Sequence, residues 1–193
     1  MAEPQDARAQ ERFRRDYAEL APALFAWAAA RIRPELRAWI EPSDVVQEVW
    51  CRAWGALADG RSAPRELRPW LFGVAKNVLL EALRRARTPA FRAGAAGTTT
   101  RLLALGSVPD EVTAASARCA RDEGLARFSE WLAALEPDDR ELVVHCGLEG
   151  LAHDAVAERI GLTRDAAAKR WQRLRSRLEQ ERMPRELLLV LGA

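Results

Sequence analysis

LAHDAVAERIGLTRDAAAKRWQRLRSRL, residues 151–178, is the stretch that decides the fold class. It reads as helix, tight turn, helix. Ala152, Ala155, Val156 and Ile160 give the first helix an apolar stripe. Gly161 stands where the chain must turn sharply, a place where a positive φ costs glycine little. The Thr163 hydroxyl can cap the following helix. There Ala167, Trp171, Leu174 and Leu178 recur at i, i+4, i+7 and i+11, the spacing of one buried helical face. The rest of that helix is polar and basic. An apolar back with a basic front fits the major groove of duplex DNA, about 12 Å wide. Arg164, Asp165, Ala168, Lys169 and Gln172 are placed for base edges, and Arg170, Arg173, Arg175 and Arg177 for phosphates. A basic helix packed on a neighbour is the plainer alternative.

Working toward the N-terminus, the same periodicity predicts an all-α chain, with no alternating Val/Ile/Thr-rich stretch. A first helix over 8–32 carries Phe13, Tyr17, Leu20, Leu24 and Trp27, with Pro22 inside it as a candidate kink. A second runs from Pro42 to about Ala58, with Ser43 or Asp44 as its cap. A third covers about 66–87. Residues 88–111, rich in glycine, threonine and small residues, read as a flexible linker. One helix over 111–135 follows, then the segment from Asp138 and the helix–turn–helix. Two small helical domains result, 8–87 and 112–182, with an apolar tail at 183–193 of unassigned role.

The 193 residues are 49% apolar and 30% charged, which excludes a disordered chain. No apolar run approaches the roughly 18 residues of a membrane span, and the polar N-terminus carries no apolar signal core, so a cytoplasmic protein is expected. The net charge of +2 conceals two basic clusters. Residues 61–87 hold Arg61, Arg65, Arg68, Lys76, Arg84, Arg85 and Arg87 against Glu66 and Glu81, and residues 169–177 hold five basic groups and no acidic one. Such clustering points to two polyanion contacts rather than uniform solubilising charge. Cys51, Cys119 and Cys146 are widely spaced without a CxxC pair and read as free thiols, with no metal site. GxGxxG, P-loop, HExxH and GxSxG patterns are all missing, and two histidines far from any nucleophile leave no catalytic constellation. Neither an enzyme nor a cofactor is expected.

Two further segments carry candidate function. In SDVVQEVWCRAW (43–54), Val46, Val49, Trp50, Ala53 and Trp54 form the inner stripe, while Asp44, Gln47, Glu48 and Cys51 share the opposite face. That polar stripe is either a solvated surface or a docking face for a basic partner helix. In RPWLFGVAKNVLLEALRR (68–85), Trp70, Leu71, Val74, Val78 and Leu83 can pack inward, leaving Lys76, Asn77, Glu81, Arg84 and Arg85 on a mostly basic face. Together with Arg61, Arg65 and Arg68 it makes a candidate nucleic-acid contact, as arginine phosphate contacts and aromatic stacking would supply.

Taken in order, the three segments resemble the sigma factors of bacterial RNA polymerase, specifically the small extracytoplasmic-function (ECF) group of the sigma-70 family. DVVQEVWCRAW (44–54) is similar to the family's D-L-V-Q-E-x-F-x-R-A-W stretch, and residues 68–85 resemble its R-x-W-L-x-x-I-A-x-N-x-x-x-D-x-x-R-R stretch. Residues 135–178 resemble its L-P-x-x-x-R stretch followed by the helix–turn–helix. The resemblance covers about residues 10–87 and 120–180. It implies that Asp44, Gln47, Glu48, Cys51 and Arg52 bind core RNA polymerase through its β′ subunit, with β as a further partner. It implies that Arg61, Arg65, Arg68, Trp70, Lys76, Asn77, Glu81, Arg84 and Arg85 open and read the −10 element, one non-template base being flipped into a pocket. The linker would thread toward the polymerase active site and RNA exit channel. Arg164, Asp165, Ala168, Lys169, Arg170, Gln172, Arg173 and Arg175 would read the −35 element. An anti-sigma factor is an implied partner.

Where the family commonly has G-T-V-K-S-R, this chain has Asp165-Ala166-Ala167-Ala168-Lys169-Arg170, and Ala152-His153 replaces its Ser-Tyr. These departures bear on which promoter is read, not on the fold. The competing reading is a dimeric helix–turn–helix regulator that acts without polymerase, which would have no need of the 44–54 and 68–85 motifs.

Overall fold

The computed structural model describes residues 4–59, 64–88, 110–181 and 183–192. Its described residues are predominantly helical, with no strand among them. The first helix, α1 (Pro4–Arg31), runs through Pro22 unbroken. One face buries Phe13, Tyr17, Leu24 and Trp27, as the spacing requires, and each large side chain removed from water contributes roughly 1.5–3 kcal/mol. Helix α2 (Pro42–Ala58) starts with Pro42 at its first turn. The expected side-chain cap is not made: Glu41 occupies the cap position in extended backbone without capping, and Asp44 is buried inside the first turn. Helix α3 (Leu67–Ala86) packs on α2 and α1. The aromatic side chains of Phe13, Tyr17, Trp50 and Trp54 cluster between α1 and α2, Trp50 stacked on Trp54 and Tyr17 edge-on to Trp50, and the Tyr17 hydroxyl donates to the Val46 carbonyl.

The single helix expected over 111–135 is two. Helix α4 (Asp110–Arg121) ends where Asp122 turns the chain, and α5 (Glu123–Ala133) begins there. The Asp122 carboxylate accepts from the Gly124 and Leu125 amides at 2.7 and 3.1 Å, a capping geometry that restarts the helix. Helix α6 (Pro137–Leu142) widens directly into a π-helical turn over Val143–Leu148, in which the Glu149 amide reaches back five residues to the Val144 carbonyl. Helix α7 (His153–Ile160), the left-handed Gly161 at φ 68°, and α8 (Arg164–Gln180) make the expected helix–turn–helix. Thr163 accepts from the Ala166 amide, and Ala167, Trp171, Leu174 and Leu178 are buried. In α7 the buried pair is Val156 and Ala157, while Ala152 and Ala155 are exposed. The tail forms a last helix, α9 (Arg185–Leu191).

The two halves of the chain pack against each other. Helix α1 touches α4, α5, α9 and the π-helical turn as well as α2 and α3, and α4 touches α2. Residues 89–109, most of the expected linker, lie outside the described residues. No helix among the described residues is long and apolar enough to cross a membrane.

Candidate nucleic-acid interface

The helix–turn–helix presents its front as expected. Arg164, Asp165, Lys169, Gln172 and Arg173 are exposed on α8, opposite the buried Ala167–Trp171–Leu174–Leu178 stripe, and Ala168 is half-buried between them. Two residues of the predicted set are committed elsewhere. Arg170 donates through Nε to Asp139 and pairs with Asp138 at 3.3 Å, which ties α8 to the start of α6. Arg175 is half-buried against the turn at Gly192, and its Nε lies in the interior without a hydrogen-bond partner. A cation there faces the C-terminal end of α9, where the helix dipole favours positive charge.

The second predicted face divides in the same way. Arg65, Asn77, Arg84 and Arg85 are exposed, and Trp70 is half-buried against the core. Arg61 lies outside the described residues. Arg68 is turned inward: its guanidinium donates to the carbonyls of Gly147, of Leu148 at 2.8 Å and of Val190 at 2.8 Å. Lys76 pairs with Glu149 at 2.7 Å. Glu81 holds Arg52 through two hydrogen bonds of 2.9 and 2.6 Å, and Arg52 bonds Glu48 at 2.7 Å. Arg52 therefore links the two faces that the sequence assigns to different partners.

The stripe on α2 is not the open surface expected of it. Asp44 and Glu48 are each only 4% exposed, and Gln47 and Cys51 are half-buried. Burial, and secondarily the neighbouring Glu41, push the Asp44 carboxyl up to about 7. One Glu48 carboxylate oxygen is buried without a hydrogen-bond partner. Helix α4 touches both this helix and α1, and its Val112, Ser116 and Cys119 are buried.

Sequence reasoning did not find the polar centre that joins the halves. Glu149, 1% exposed, accepts from Trp27 Nε1 at 2.8 Å, from Arg31 at 3.3 Å and from Lys76, and faces His145 Nδ1 at 2.9 Å. The other ring nitrogen of His145 faces Glu141 at 2.7 Å. The local signals are three i, i+4 pairs, Trp27–Arg31, Glu141–His145 and His145–Glu149, each unremarkable alone. A cavity of about 670 Å³ opens beside this centre, with Leu79, Leu80, Leu83 and Ile160 as its apolar wall.

The family model for sigma-70 region 2 matches residues 17–88, the span from α1 to the end of α3. The RNA polymerase sigma factor CnrH of Cupriavidus metallidurans is 33% identical over 135 residues, covering 70% of each chain. The RNA polymerase sigma factor NccH of Alcaligenes xylosoxydans xylosoxydans is 30% identical over 135 residues, 70% of this chain and 69% of its own. The probable RNA polymerase sigma factor RfaY of Xanthomonas campestris pv. campestris is 30% identical over 142 residues, 74% of this chain and 34% of its own. No solved structure matches the chain.

Proposed function

The chain belongs to the sigma-70 family of RNA polymerase sigma factors, in its extracytoplasmic-function group, and from that premise we propose a division of labour among its helices. As a transcription initiation factor it binds core RNA polymerase and directs it to promoter DNA. The finer reading is that Asp44, Gln47, Glu48, Cys51 and Arg52 dock on the β′ subunit. Asn77, Arg84 and Arg85, with Arg65 nearby, meet the −10 element as it opens. Arg164, Asp165, Lys169, Gln172 and Arg173 meet the −35 duplex. An anti-sigma partner and work in the cytoplasm, where the polymerase is, complete the proposal.

The observation that carries this reading is the division of each basic helix into a buried apolar back and an exposed front. On α8 the exposed Arg164, Lys169 and Arg173 stand clear of protein partners, while Arg170 is held by Asp139. A good bidentate contact to a base discriminates by about 1–3 kcal/mol, which suits Arg164 or Gln172 at the start of a groove-entering helix.

Co-migration with purified core RNA polymerase tests the reading, with Asp44→Ala/Glu48→Lys as the control. Tight association lost in the control supports α2 as the docking helix. A chain that shifts duplex DNA alone and never joins polymerase would instead favour the dimeric regulator.

A further inference from the structure

We propose that the cavity beside the Glu149 centre binds a small anionic amphiphile, a free fatty acid whose carboxylate meets Arg31, Lys76 and Arg159 and whose alkyl chain lies on Leu79, Leu80 and Leu83. The inference goes beyond the promoter reading and does not depend on it.

Shape is the first argument. The volume of about 670 Å³ falls inside the range of roughly 300–1,000 Å³ that small-molecule sites occupy. Residues of α1, α3, α6, the π-helical turn and α7 all line it, so it is a concavity and not one open helix face.

The second is the charge at one end of it. Three cations meet a single His–Glu pair there. Arg31 lies 3.3 Å and Lys76 2.7 Å from the Glu149 carboxylate, and Arg159 lies 3.4 Å from His145 Nε2. Glu141 faces that same nitrogen at 2.7 Å. Three cations against two carboxylates leave at least one positive charge in surplus. Their donors are only partly used, since an arginine carries five N–H groups and a lysine three. Arg31 and Lys76 are part-exposed and Arg159 is exposed. A carboxylate entering here finds charge-assisted hydrogen bonds without first breaking the buried centre.

The third is the apolar wall that continues from this charge. Leu79, Leu80 and Leu83 follow Lys76 at i+3, i+4 and i+7 on α3, so the wall runs about 10 Å along the helix axis. Ile160 of α7 adds to it. Leu80 is 51% exposed, one of two large apolar side chains left so open among the described residues. Covering it with an alkyl chain removes apolar surface from water. The lining suits an alkyl tail better than a nucleobase, because its ring-bearing side chains, Trp27 and His145, are buried and offer no stacking face.

Isothermal titration calorimetry of the full chain with sodium dodecanoate, kept below its micelle concentration, tests the site. One saturable site is expected. Each buried methylene is worth about fourfold in affinity, so octanoate should bind at least tenfold more weakly even if half of the difference in tail is covered. Dodecyltrimethylammonium, with the same tail and the opposite head charge, should also bind at least tenfold more weakly. Leu80→Asp and Arg159→Glu change exposed side chains, and each should weaken dodecanoate tenfold or more. Leu189→Asp, at the other exposed leucine, should leave it unchanged. Retained helicity by circular dichroism guards against misfolding, and if one variant fails that check the other decides alone. Lack of saturable binding would overturn the proposal. So would equal affinity for the cationic surfactant or an equal loss in Leu189→Asp, either of which means adsorption to apolar surface. A dimer in sedimentation equilibrium that Leu80→Asp dissolves and dodecanoate does not would give the groove to a second copy of the chain, and would overturn it as well.

Discussion

Lys76 Nζ lies 2.7 Å from Glu149 Oε2, joining α3 to the end of the π-helical turn across 73 residues of sequence. The pair sits in a centre where Trp27, Arg31 and His145 also converge on one carboxylate. Charge of both signs is therefore buried at the seam between the halves, where its balance depends on pH.

Glu149 makes that dependence specific. Burial pushes its carboxyl up, but hydrogen bonds with His145, Lys76 and Trp27 overcome this and hold it at about 2, below the ordinary 4.5. A carboxyl depressed in the folded state stabilises fully above its unfolded value, and that stability is lost as pH falls through the folded value. The contribution, of order 3 kcal/mol, should disappear between about pH 4.5 and 2. Urea melts across that window should show a smaller acid-side loss in Glu149→Gln than in the wild type.

Asp44 runs the opposite way. Its carboxyl is raised from 3.8 to about 7 by burial, so its neutral form is favoured in the folded chain. Stability from this group is full below about pH 3.8 and declines as pH rises through 7. Asp44→Asn should raise the melting temperature at pH 8, change it little at pH 4, and weaken polymerase binding. An equal shift at both pH values would mean the carboxylate is not desolvated.

On α8 the structure separates two arginines that sequence spacing treats alike. Arg173→Ala should reduce the slope of log affinity for −35 duplex against log salt by about 1, the share of one phosphate contact. Arg170→Ala should leave that slope nearly unchanged and cost about 1 kcal/mol of stability instead, because its partners are Asp139 and Asp138. Salt titrations and thermal melts on the two variants distinguish the roles.

At the end of α3, Arg84→Ala with Arg85→Ala should slow promoter opening by tenfold or more while polymerase association stays intact. Both side chains are exposed, and Arg85 keeps only a 3.8 Å contact to Glu81. Permanganate footprinting of the −10 region, run beside co-migration, measures both. Loss of polymerase association in this variant would remove the DNA assignment from this face.

The local features were legible. Gly161, Thr163 and the Ala167–Leu178 stripe act within one or two helical turns, so the helix–turn–helix can be read from neighbours in sequence. The break at Asp122 was legible in principle, since an aspartate followed by Glu-Gly is a cap signal, but the apolar periodicity on both sides masked it. The seam was not legible. Arg68 finds its carbonyl partners 79 to 122 residues away, and no spacing rule announces such a contact. For the same reason Asp44 and Glu48 read as an outer face: periodicity shows that they oppose Val46 and Val49, but not that tertiary packing will bury them.

The π-helical turn over Val143–Leu148 sets the phase of everything that follows it. One residue advances an α-helix by about 100°. The wider turn absorbs one extra residue, so it fixes the heading at which the chain leaves α6 for the helix–turn–helix. Losing one residue here would turn the exit from α6 by about 100°, and the non-helical connection over 149–152, with Gly150 at φ 74°, would have to absorb that rotation before His153.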